Sequence, residues 1–328
     1  MSEQGVAGCL LGGLLGDVIG AVVEGESPKY IRKAYADLDA MLKQRQVPEI
    51  LGQFWLVGRY TDDTHMTLSV CEWLLECPQL DGGDLMHRFA HSFHPARRYG
   101  SGAAQVLQAF AERGGDWRDY ATLMFPEGSF GNGAAMRVAP IGCRFPRDPE
   151  ALIRAARTSA RTTHAHRLAK QGAVLQAAAV ATALNGTAPE NVLAQLQRWL
   201  DRLEREELVD EYRGALQTVG RALHEDWPEP RVGEVLGNGV AALESVPLAL
   251  YCFLRHADSF EAVLHSAIFM GGDTDTVAAM AGSLAGARLG LEALPRRWLA
   301  SVREDEFPPA RILQLARALC GLVEGRKA

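Results

Sequence analysis

The chain lacks the alternation of β-branched and polar residues between turns that marks β-strands. Alanine, leucine, arginine and glutamate dominate instead, and most of these residues favour helices. No linker or low-complexity stretch divides the 328 residues, and no repeat period is evident. The sequence therefore predicts an all-α protein, a compact multi-helix orthogonal bundle that forms a single domain over residues 1–328.

Long apolar runs and paired cysteines are also missing. No window is apolar over the length of a transmembrane helix, and the apolar run after Val6 is interrupted by Asp17 and Glu24 and has no basic flank. The six cysteines form no C-x-x-C pair and lie in apolar helical surroundings, which is typical of reduced core residues. We therefore expect a cytoplasmic protein with no signal peptide and no membrane partner.

A basic surface is lacking as well. The chain holds 34 lysines and arginines against 40 aspartates and glutamates, which makes the formal net charge -6. This balance argues against sequence-specific binding of nucleic acid. It does not exclude an anionic ligand, because backbone amides can hold an anion locally.

Two clusters of acids and hydroxyls stand at predicted helix starts. Residues 60–64 open a helix that runs through Cys77, and residues 271–276 precede a helix of small residues from Val277 to Ala287. Helix capping is the simple interpretation, because Thr and Asp favour helix starts. However, Asp62 and Asp273 fall on the apolar rows of their helices. A carboxylate against an apolar face is costly unless a cation neutralises it, so two such clusters suggest a shared cationic partner.

The two clusters offer oxygen ligands without a His or Cys companion at metal spacing. The ligands are Thr61, Asp62, Asp63, Asp273, Asp275 and Thr276. Oxygen ligands suit Mg²⁺, Mn²⁺ or Ca²⁺ rather than Zn²⁺. Four carboxylates are more than one Mg²⁺ usually takes, so the set predicts two ions roughly 3.5–4 Å apart.

Another pair of acids lies on one face of the predicted N-terminal helix. Gly13, Asp17, Gly20, Ala21 and Glu24 recur at offsets of three and four residues, so the two acids are separated by residues with almost no side chain. Small residues let another backbone or a ligand come close. A solvated face and a functional site both remain open interpretations of this row.

Two glycine-rich turns, residues 97–102 and 128–133, precede predicted helices. Such loops expose backbone N–H groups at a helix N-terminus, which suits a phosphate, although most glycine-rich turns are merely turns. Near the start of a long alanine-rich helix that opens at Thr162, His164 can cap the helix, pack, or contact a ligand. Further helices are predicted over Tyr30 to Arg45, before a loop through Pro48 and Gly58, and over Ala134 to Cys143.

Several segments together resemble the ADP-ribosylglycohydrolase family, which includes the glycohydrolases that reactivate dinitrogenase reductase. The segments are GCLLGGLLGDVIGAVVEG, YTDDTHMTL, GSFGNGAAMRVAPIG, TTHAH, ESVPLALYCFLR and GGDTDTVAAMAGSLAGA, and they run from about Gly8 to Gly290. The details are most similar to the type-3 ADP-ribosyl-acceptor hydrolase branch, which acts on O-linked ADP-ribose. Arg98 departs from that branch, whose members often have glycine before the Tyr-Gly pair.

The resemblance implies an all-α fold with a binuclear Mg²⁺ or Mn²⁺ centre held by the six oxygen ligands named above. The implied activity is hydrolysis of the O-glycosidic bond in serine-linked ADP-ribose, poly(ADP-ribose) and O-acetyl-ADP-ribose. Glu24 would be the catalytic residue, as proton donor or as the group that positions substrate and water. The implied substrate contacts are Gly100, Phe125, Gly128, Ser129, Phe130, Gly131, Asn132, His164, Gly239 and Val240. The partners would be ADP-ribose and ADP-ribosylated proteins or polymer, bound by a monomer.

Three other functions remain open at this point. The same fold can act on ADP-ribosyl-arginine. The chain can also be a metal-dependent module that binds ADP-ribose without hydrolysing it. Finally, it can be a helical scaffold whose acids are only helix caps.

Overall fold

Helices make up almost all of the regular structure. The computed structural model describes residues 2–48, 54–205, 207–303 and 309–324. The described part contains these α-helices and strands: α1 Glu3–Gly20, α2 Pro28–Ala34, α3 Leu38–Leu42, β1 Gln46–Pro48, β2 Phe54–Leu56, α4 Asp62–Glu76, α5 Gly82–Ser92, α6 Ser101–Arg113, α7 Ala139–Arg144, α8 Pro149–Arg161, α9 Arg167–Leu184, α10 Pro189–Leu203, α11 Asp210–His224, α12 Glu229–Leu236, α13 Ala242–Arg255, α14 Phe260–Phe269, α15 Thr274–Leu289, α16 Arg296–Leu299 and α17 Pro309–Glu324. The all-α prediction is confirmed.

The stretch before α4 differs from the sequence prediction. Tyr30 to Arg45 is not one helix but two, α2 and α3. Tyr35 adopts an extended conformation after α2, and Asp37 starts α3 by accepting a hydrogen bond from the Ala40 amide at 2.7 Å. The loop expected around Pro48 contains a short antiparallel hairpin, in which Val47 pairs with Trp55.

Two later helices are shorter than predicted. Residues 132–134 form a 3₁₀ turn, and the α-helix begins only beside Pro140, whose fixed φ suits a first turn. The alanine-rich helix α9 begins at Arg167 rather than at Thr162. The reason is that Thr162 ends α8 and His166 caps α9 by accepting a hydrogen bond from the Leu168 amide.

The helices α1 and α15 pack backbone against backbone. On α1, glycine recurs at every fourth position from Gly8 to Gly20, on one face, and α15 runs antiparallel along it. A Cβ added at Gly12 would lie 2.3 Å from the carbonyl oxygen of Gly282, and one at Gly16 would lie 2.0 Å from that of Ala278. Because no Cβ approaches a backbone oxygen so closely, only glycine permits this contact. Of the small residues in the predicted row, Gly20 lies on this face, whereas the nearest atom to a Cβ at Gly13 would be the Ser283 hydroxyl oxygen, at 2.5 Å.

This contact fixes the end of α1 beside the start of α15. A Cβ at Gly20 would lie 2.4 Å from the carbonyl oxygen of Thr274. The Thr274 hydroxyl in turn donates a hydrogen bond to the carbonyl oxygen of Gly20 at 2.8 Å. The residues around Gly20 and those around Thr274 are therefore brought together, although about 250 residues separate them in sequence.

All six cysteines are free, and all but the half-buried Cys77 are buried, as expected of core residues. Among the described helices, none combines the length and the apolar composition needed to cross a membrane.

The glycine contact predicts opposite effects for one substitution at two positions. We expect Gly16→Ala to lower the free energy of unfolding by about 2 kcal/mol, because the new methyl group collides with the backbone of α15. We expect Gly214→Ala, inside α11 with open space around it, to raise that free energy by roughly 0.5–1 kcal/mol. Urea unfolding of both variants without added metal measures the difference. Equal changes would show that the close helix contact does not constrain Gly16.

Candidate active site

The two acidic clusters meet at one carboxylate oxygen. Asp63 lies in the first turn of α4, and Thr276 lies in the first turn of α15. The hydroxyls of Thr61 and Thr276 both lie 3.3 Å from Asp63 Oδ2 and donate hydrogen bonds to it. The structure therefore joins two motifs that are 213 residues apart.

Capping explains one cluster and not the other. Thr61 is the N-cap of α4, and its hydroxyl accepts a hydrogen bond from the Asp63 amide at 3.3 Å. Asp273 occupies the N-cap position of α15, but its side chain makes no capping hydrogen bond. Its carboxylate accepts instead from the Asn132 side-chain amide at 2.5 Å. The capping interpretation of the Asp273 carboxylate is therefore wrong.

Glu24 also lies beside the acidic cluster that contains Asp273, but its position does not follow from the predicted helical row. The helix α1 ends at Gly20, so Glu24 lies in the turn after it rather than on its face. One carboxylate oxygen each from Glu24, Asp273 and Asp275 lies within 4.8 Å of the others. Such a group of oxygen atoms can hold a divalent cation.

Asp17, the other acid of that row, is neither on a solvated face nor open to the site. Its side chain is fully buried, and it accepts hydrogen bonds from the amides of Thr61 and Thr64 at 2.9 and 3.0 Å. The Thr64 hydroxyl also donates to it, at 2.5 Å. Asp17 thus holds the first turn of α4 against α1, a structural role that the sequence analysis missed.

Negative charge in this region is poorly compensated. Burial raises the pKa of Asp62, Asp63 and Asp275 well above that of an ordinary carboxyl group, and neighbouring carboxylates raise it further. The buried Oδ1 of Asp63 has no hydrogen-bond partner. An unpaired buried carboxylate oxygen is costly, and a divalent cation would satisfy it. The residues present therefore fit a metal site.

A buried arginine organises the opposite wall. Arg137 is fully buried and donates hydrogen bonds to the Gly133 carbonyl and the Thr163 hydroxyl, each at 3.0 Å, and to the Ser159 carbonyl at 2.6 Å. It thereby ties the loop that carries Asn132 to the loop that carries His164. This role of Arg137 was not predicted from the sequence, where the signal is a single arginine within an otherwise apolar run.

His164 is buried and uncharged. Its Nδ1 lies 2.7 Å from the Thr163 hydroxyl. Burial, and then the nearby Arg137 charge, lower the pKa of His164 to about 3. It packs in the wall and also lines the adjacent cleft, so packing and ligand contact are compatible for this residue.

A cleft of about 340 Å³ opens beside the acidic clusters and the His164 wall. The predicted site residues along it are Glu24, Asp62, Asp63, Gly100, Phe125, Ser129, Gly131, Asn132, His164, Val240, Asp273, Asp275 and Thr276. Arg98 lines the same cleft. The structure therefore gathers most of the predicted metal ligands and substrate contacts around one volume.

Four predicted site residues lie behind or beside the cleft lining. Thr61 is fully buried beneath Asp63. Gly128 has a φ of +83°, and a Cβ there would lie 2.5 Å from the His166 amide nitrogen, so the turn requires glycine. Phe130 is 55% exposed and meets the His166 ring edge-on. The Gly239 amide donates a hydrogen bond to Glu244 Oε2 at 3.0 Å, so this amide is already paired with a protein side chain.

Known proteins are similar to this chain over nearly its whole length. The family model for ADP-ribosylglycohydrolase matches residues 2–328. The ADP-ribosylhydrolase ARH3 of Mus musculus is 37% identical over 318 residues, which cover 89% of this chain and 85% of the relative. The ADP-ribosylhydrolase ARH3 of Homo sapiens is 36% identical over 318 residues, with 89% and 87% covered. A solved structure described as an ADP-ribosylglycohydrolase-related protein complex has a TM-score of 0.72 at 29% identity and covers 98% of both chains.

The raised carboxyl pKa values predict how metal stabilisation depends on pH. A carboxyl group whose pKa is raised by folding binds its proton more tightly in the folded state than in the unfolded state. Its contribution to the free energy of unfolding is therefore complete below the ordinary pKa of 3.8 and is lost as pH rises through the raised pKa. A divalent cation needs the ionised form, so it binds more tightly as pH rises. We expect the gain in Tm on adding saturating Mg²⁺ to be larger at about pH 8 than at about pH 5.5.

Substitution of one carboxylate tests whether the buried acidic cluster causes this pH-dependent stabilisation by Mg²⁺. We expect Asp275→Asn to raise the metal-free Tm at about pH 8 and to reduce the gain from Mg²⁺, because it removes one uncompensated buried charge. Asp258→Asn, whose carboxylate is 89% exposed, is the matched control and should change neither quantity. Differential scanning fluorimetry measures both. A Mg²⁺ effect that is independent of pH and of Asp275 would contradict the assignment of this cluster.

Proposed function

This chain belongs to the ADP-ribosylglycohydrolase family, and we propose that it is a metal-dependent hydrolase that cleaves the O-glycosidic bond of ADP-ribose adducts. The family membership confirms the resemblance found in the motifs and makes the protein a glycohydrolase. Relatives that are named ADP-ribosylhydrolase ARH3 and match 89% of the chain support ADP-ribose as the released group. The proposed substrates are serine-linked ADP-ribose, poly(ADP-ribose) and O-acetyl-ADP-ribose.

The carboxylate cluster in the cleft carries this proposal. Asp62, Asp63, Asp273 and Asp275 are all buried, and the orphaned Oδ1 of Asp63 indicates that hydrogen bonds do not satisfy every oxygen of this cluster. We assign these carboxylates, with the hydroxyls of Thr61 and Thr276, to two Mg²⁺ or Mn²⁺ ions. When bound, such ions supply positive charge and Lewis acidity to oxygen atoms of the substrate and water.

Glu24 is the proposed proton donor. Cleavage of a glycosidic bond develops oxocarbenium character, and the leaving oxygen needs a proton. The Glu24 side chain is 36% exposed, and its carboxylate lies near those of Asp273 and Asp275. Burial raises the pKa of Glu24, the Arg98 guanidinium opposes this, and the Asp273 carboxylate adds to it. The direction favours retention of a proton, as general acid catalysis at neutral pH requires.

The remaining walls of the cleft suit an adenosine diphosphate group. The helix α6 follows Gly100 and has no side-chain cap, so its first-turn amides face no competing side-chain acceptor and suit phosphate oxygens. Phe125 and Val240 are 48% and 67% exposed and offer apolar surface to a nucleoside. The neutral His164 ring adds an uncharged hydrogen-bonding group.

A comparison of substrates tests the reaction class. With Mg²⁺, we expect release of ADP-ribose from a serine-linked peptide, from poly(ADP-ribose) and from O-acetyl-ADP-ribose, and little release from an arginine-linked peptide. Chromatography of the products measures all four in parallel. Preferential hydrolysis of the arginine adduct would replace the proposed substrate class. Binding of ADP-ribose by calorimetry without turnover of any adduct would instead indicate a binding module, and no thermal shift with Mg²⁺ plus ADP-ribose would indicate a scaffold.

The proton-donor role predicts a loss of turnover without a loss of metal. We expect Glu24→Gln to lower kcat about 100-fold, in the range of general acid catalysis, while calorimetry shows that Mg²⁺ still binds. Glu26→Gln is the matched control, because Glu26 is exposed in the same turn and does not line the cleft. Near-normal turnover by Glu24→Gln with intact metal binding would exclude this role. Asp273→Asn combined with Asp275→Asn should abolish metal binding as well.

A further inference from the structure

We propose that Arg98 is a positioning residue that holds the Glu24 carboxylate over the cleft. The inference rests on the proposed catalytic role of Glu24 and adds a residue that acts through it. It starts from a side chain that contacts Glu24, the end of α1 and the strand β2 at once.

One nitrogen of the guanidinium makes two contacts that fix its position. Arg98 Nη1 donates a hydrogen bond to Glu24 Oε2 at 3.0 Å and another to the Ala21 carbonyl oxygen at 2.8 Å. Ala21 is the C-cap residue of α1, directly after its last residue, Gly20. The guanidinium therefore fixes the position of the Glu24 carboxylate relative to the end of α1.

The aromatic ring of Trp55 supports the guanidinium from one face. The guanidinium carbon of Arg98 lies 4.2 Å from the centre of the ring, and Trp55 itself is only 3% exposed. A planar cation that stacks on a buried indole has few alternative orientations. The Arg98 side chain is 18% exposed, so it is held rather than free in solvent.

The backbone of Arg98 indicates that these contacts overcome a local cost. Its φ of 59° and ψ of 29° lie in the left-handed region, which a residue with a Cβ seldom adopts. Glycine would occupy this position without strain. Non-glycine residues in such conformations are often functional, and here the conformation carries a side chain into the cleft. Partly exposed ion pairs contribute little to stability, so stability alone does not explain the arrangement.

The turn that carries Glu24 is anchored through its backbone and needs a separate contact for its side chain. The Gly25 amide donates to the Gly272 carbonyl at 2.8 Å, and the Gly272 amide donates to the Glu26 carbonyl at 3.0 Å. These two bonds fix the main chain beside the loop that leads to Asp273. A Cβ at Gly25 would have no neighbour within 4 Å, so the turn is open on that side. The Arg98 contact restrains the Glu24 side chain, which is 36% exposed.

The test separates positioning from two other roles. Arg98→Gly removes the side chain and relieves the left-handed conformation, so Tm should stay within about 2 °C or rise. We expect kcat on the O-linked adducts to fall about tenfold with KM changed less than about twofold. The reason is that a misplaced acid stabilises the transition state less well but leaves substrate binding nearly unchanged. Arg98→Lys keeps the charge and should restore part of kcat. A rise in KM at unchanged kcat would show that Arg98 binds phosphate, and a rise in kcat would show that Arg98 slows the reaction instead of assisting it. Both results, like an unchanged kcat, would overturn the proposal.

A second measurement does not depend on activity. Arg98 also donates a hydrogen bond to the Ala21 carbonyl, just before the turn that carries Glu24. In Arg98→Gly we therefore expect faster hydrogen exchange in peptides that span this turn, measured by mass spectrometry, and unchanged exchange would overturn the proposal. Asp226→Gly is the matched control, because Asp226 is also left-handed and pairs with Arg255, but does not line the cleft. It should alter neither kcat nor this exchange. If the wild-type protein hydrolyses no adduct, the proposed function fails, and the exchange result alone decides the role of Arg98.

Discussion

The contact between α1 and α15 is the constraint on which the rest of this structure depends. Four glycines on α1, from Gly8 to Gly20, let the two backbones approach to a distance that any side chain would prevent. The end of α1 is thereby pinned to the start of α15, where Gly20 and Thr274 are hydrogen-bonded. Asp17, just before that point, orients α4, and the Glu24 turn follows it. One packing contact therefore positions three of the segments that form the site.

The site itself concentrates negative charge that the described structure compensates in part, through Arg98 at Glu24. Asp17 is satisfied by amides and a hydroxyl, so its burial stabilises a particular arrangement of α4. Asp63 is different, because one of its oxygens is buried without a partner. Uncompensated carboxylates destabilise the metal-free fold, and the divalent cations proposed for this site would offset that cost. Arg98, which contacts Glu24, is the cation that the described structure places in the lining of this cleft.

Much of this arrangement was predictable from short patterns, and the failures have physical causes. The acids of residues 61–63 and 273–276 were found because carboxylates on apolar helical rows are unusual. The position of Glu24 was derived from a helix that in fact ends at Gly20, so its nearness to Asp273 comes from a turn and not from helical spacing. Arg137 was missed because a buried arginine that binds carbonyl and hydroxyl groups leaves no periodic signal in the sequence.

The sequence by itself determined the helical class, the acidic and glycine-rich motifs, and membership of a family whose model matches residues 2–328. These properties follow from local composition and spacing, which the chain carries whether or not it is folded. The tertiary structure alone decided that the Asp273 carboxylate binds Asn132 instead of capping its helix, and that Arg98 reaches Glu24. Such contacts join residues that are 141 and 74 positions apart. They depend on how closely the helices pack, and only the folded backbone sets that distance.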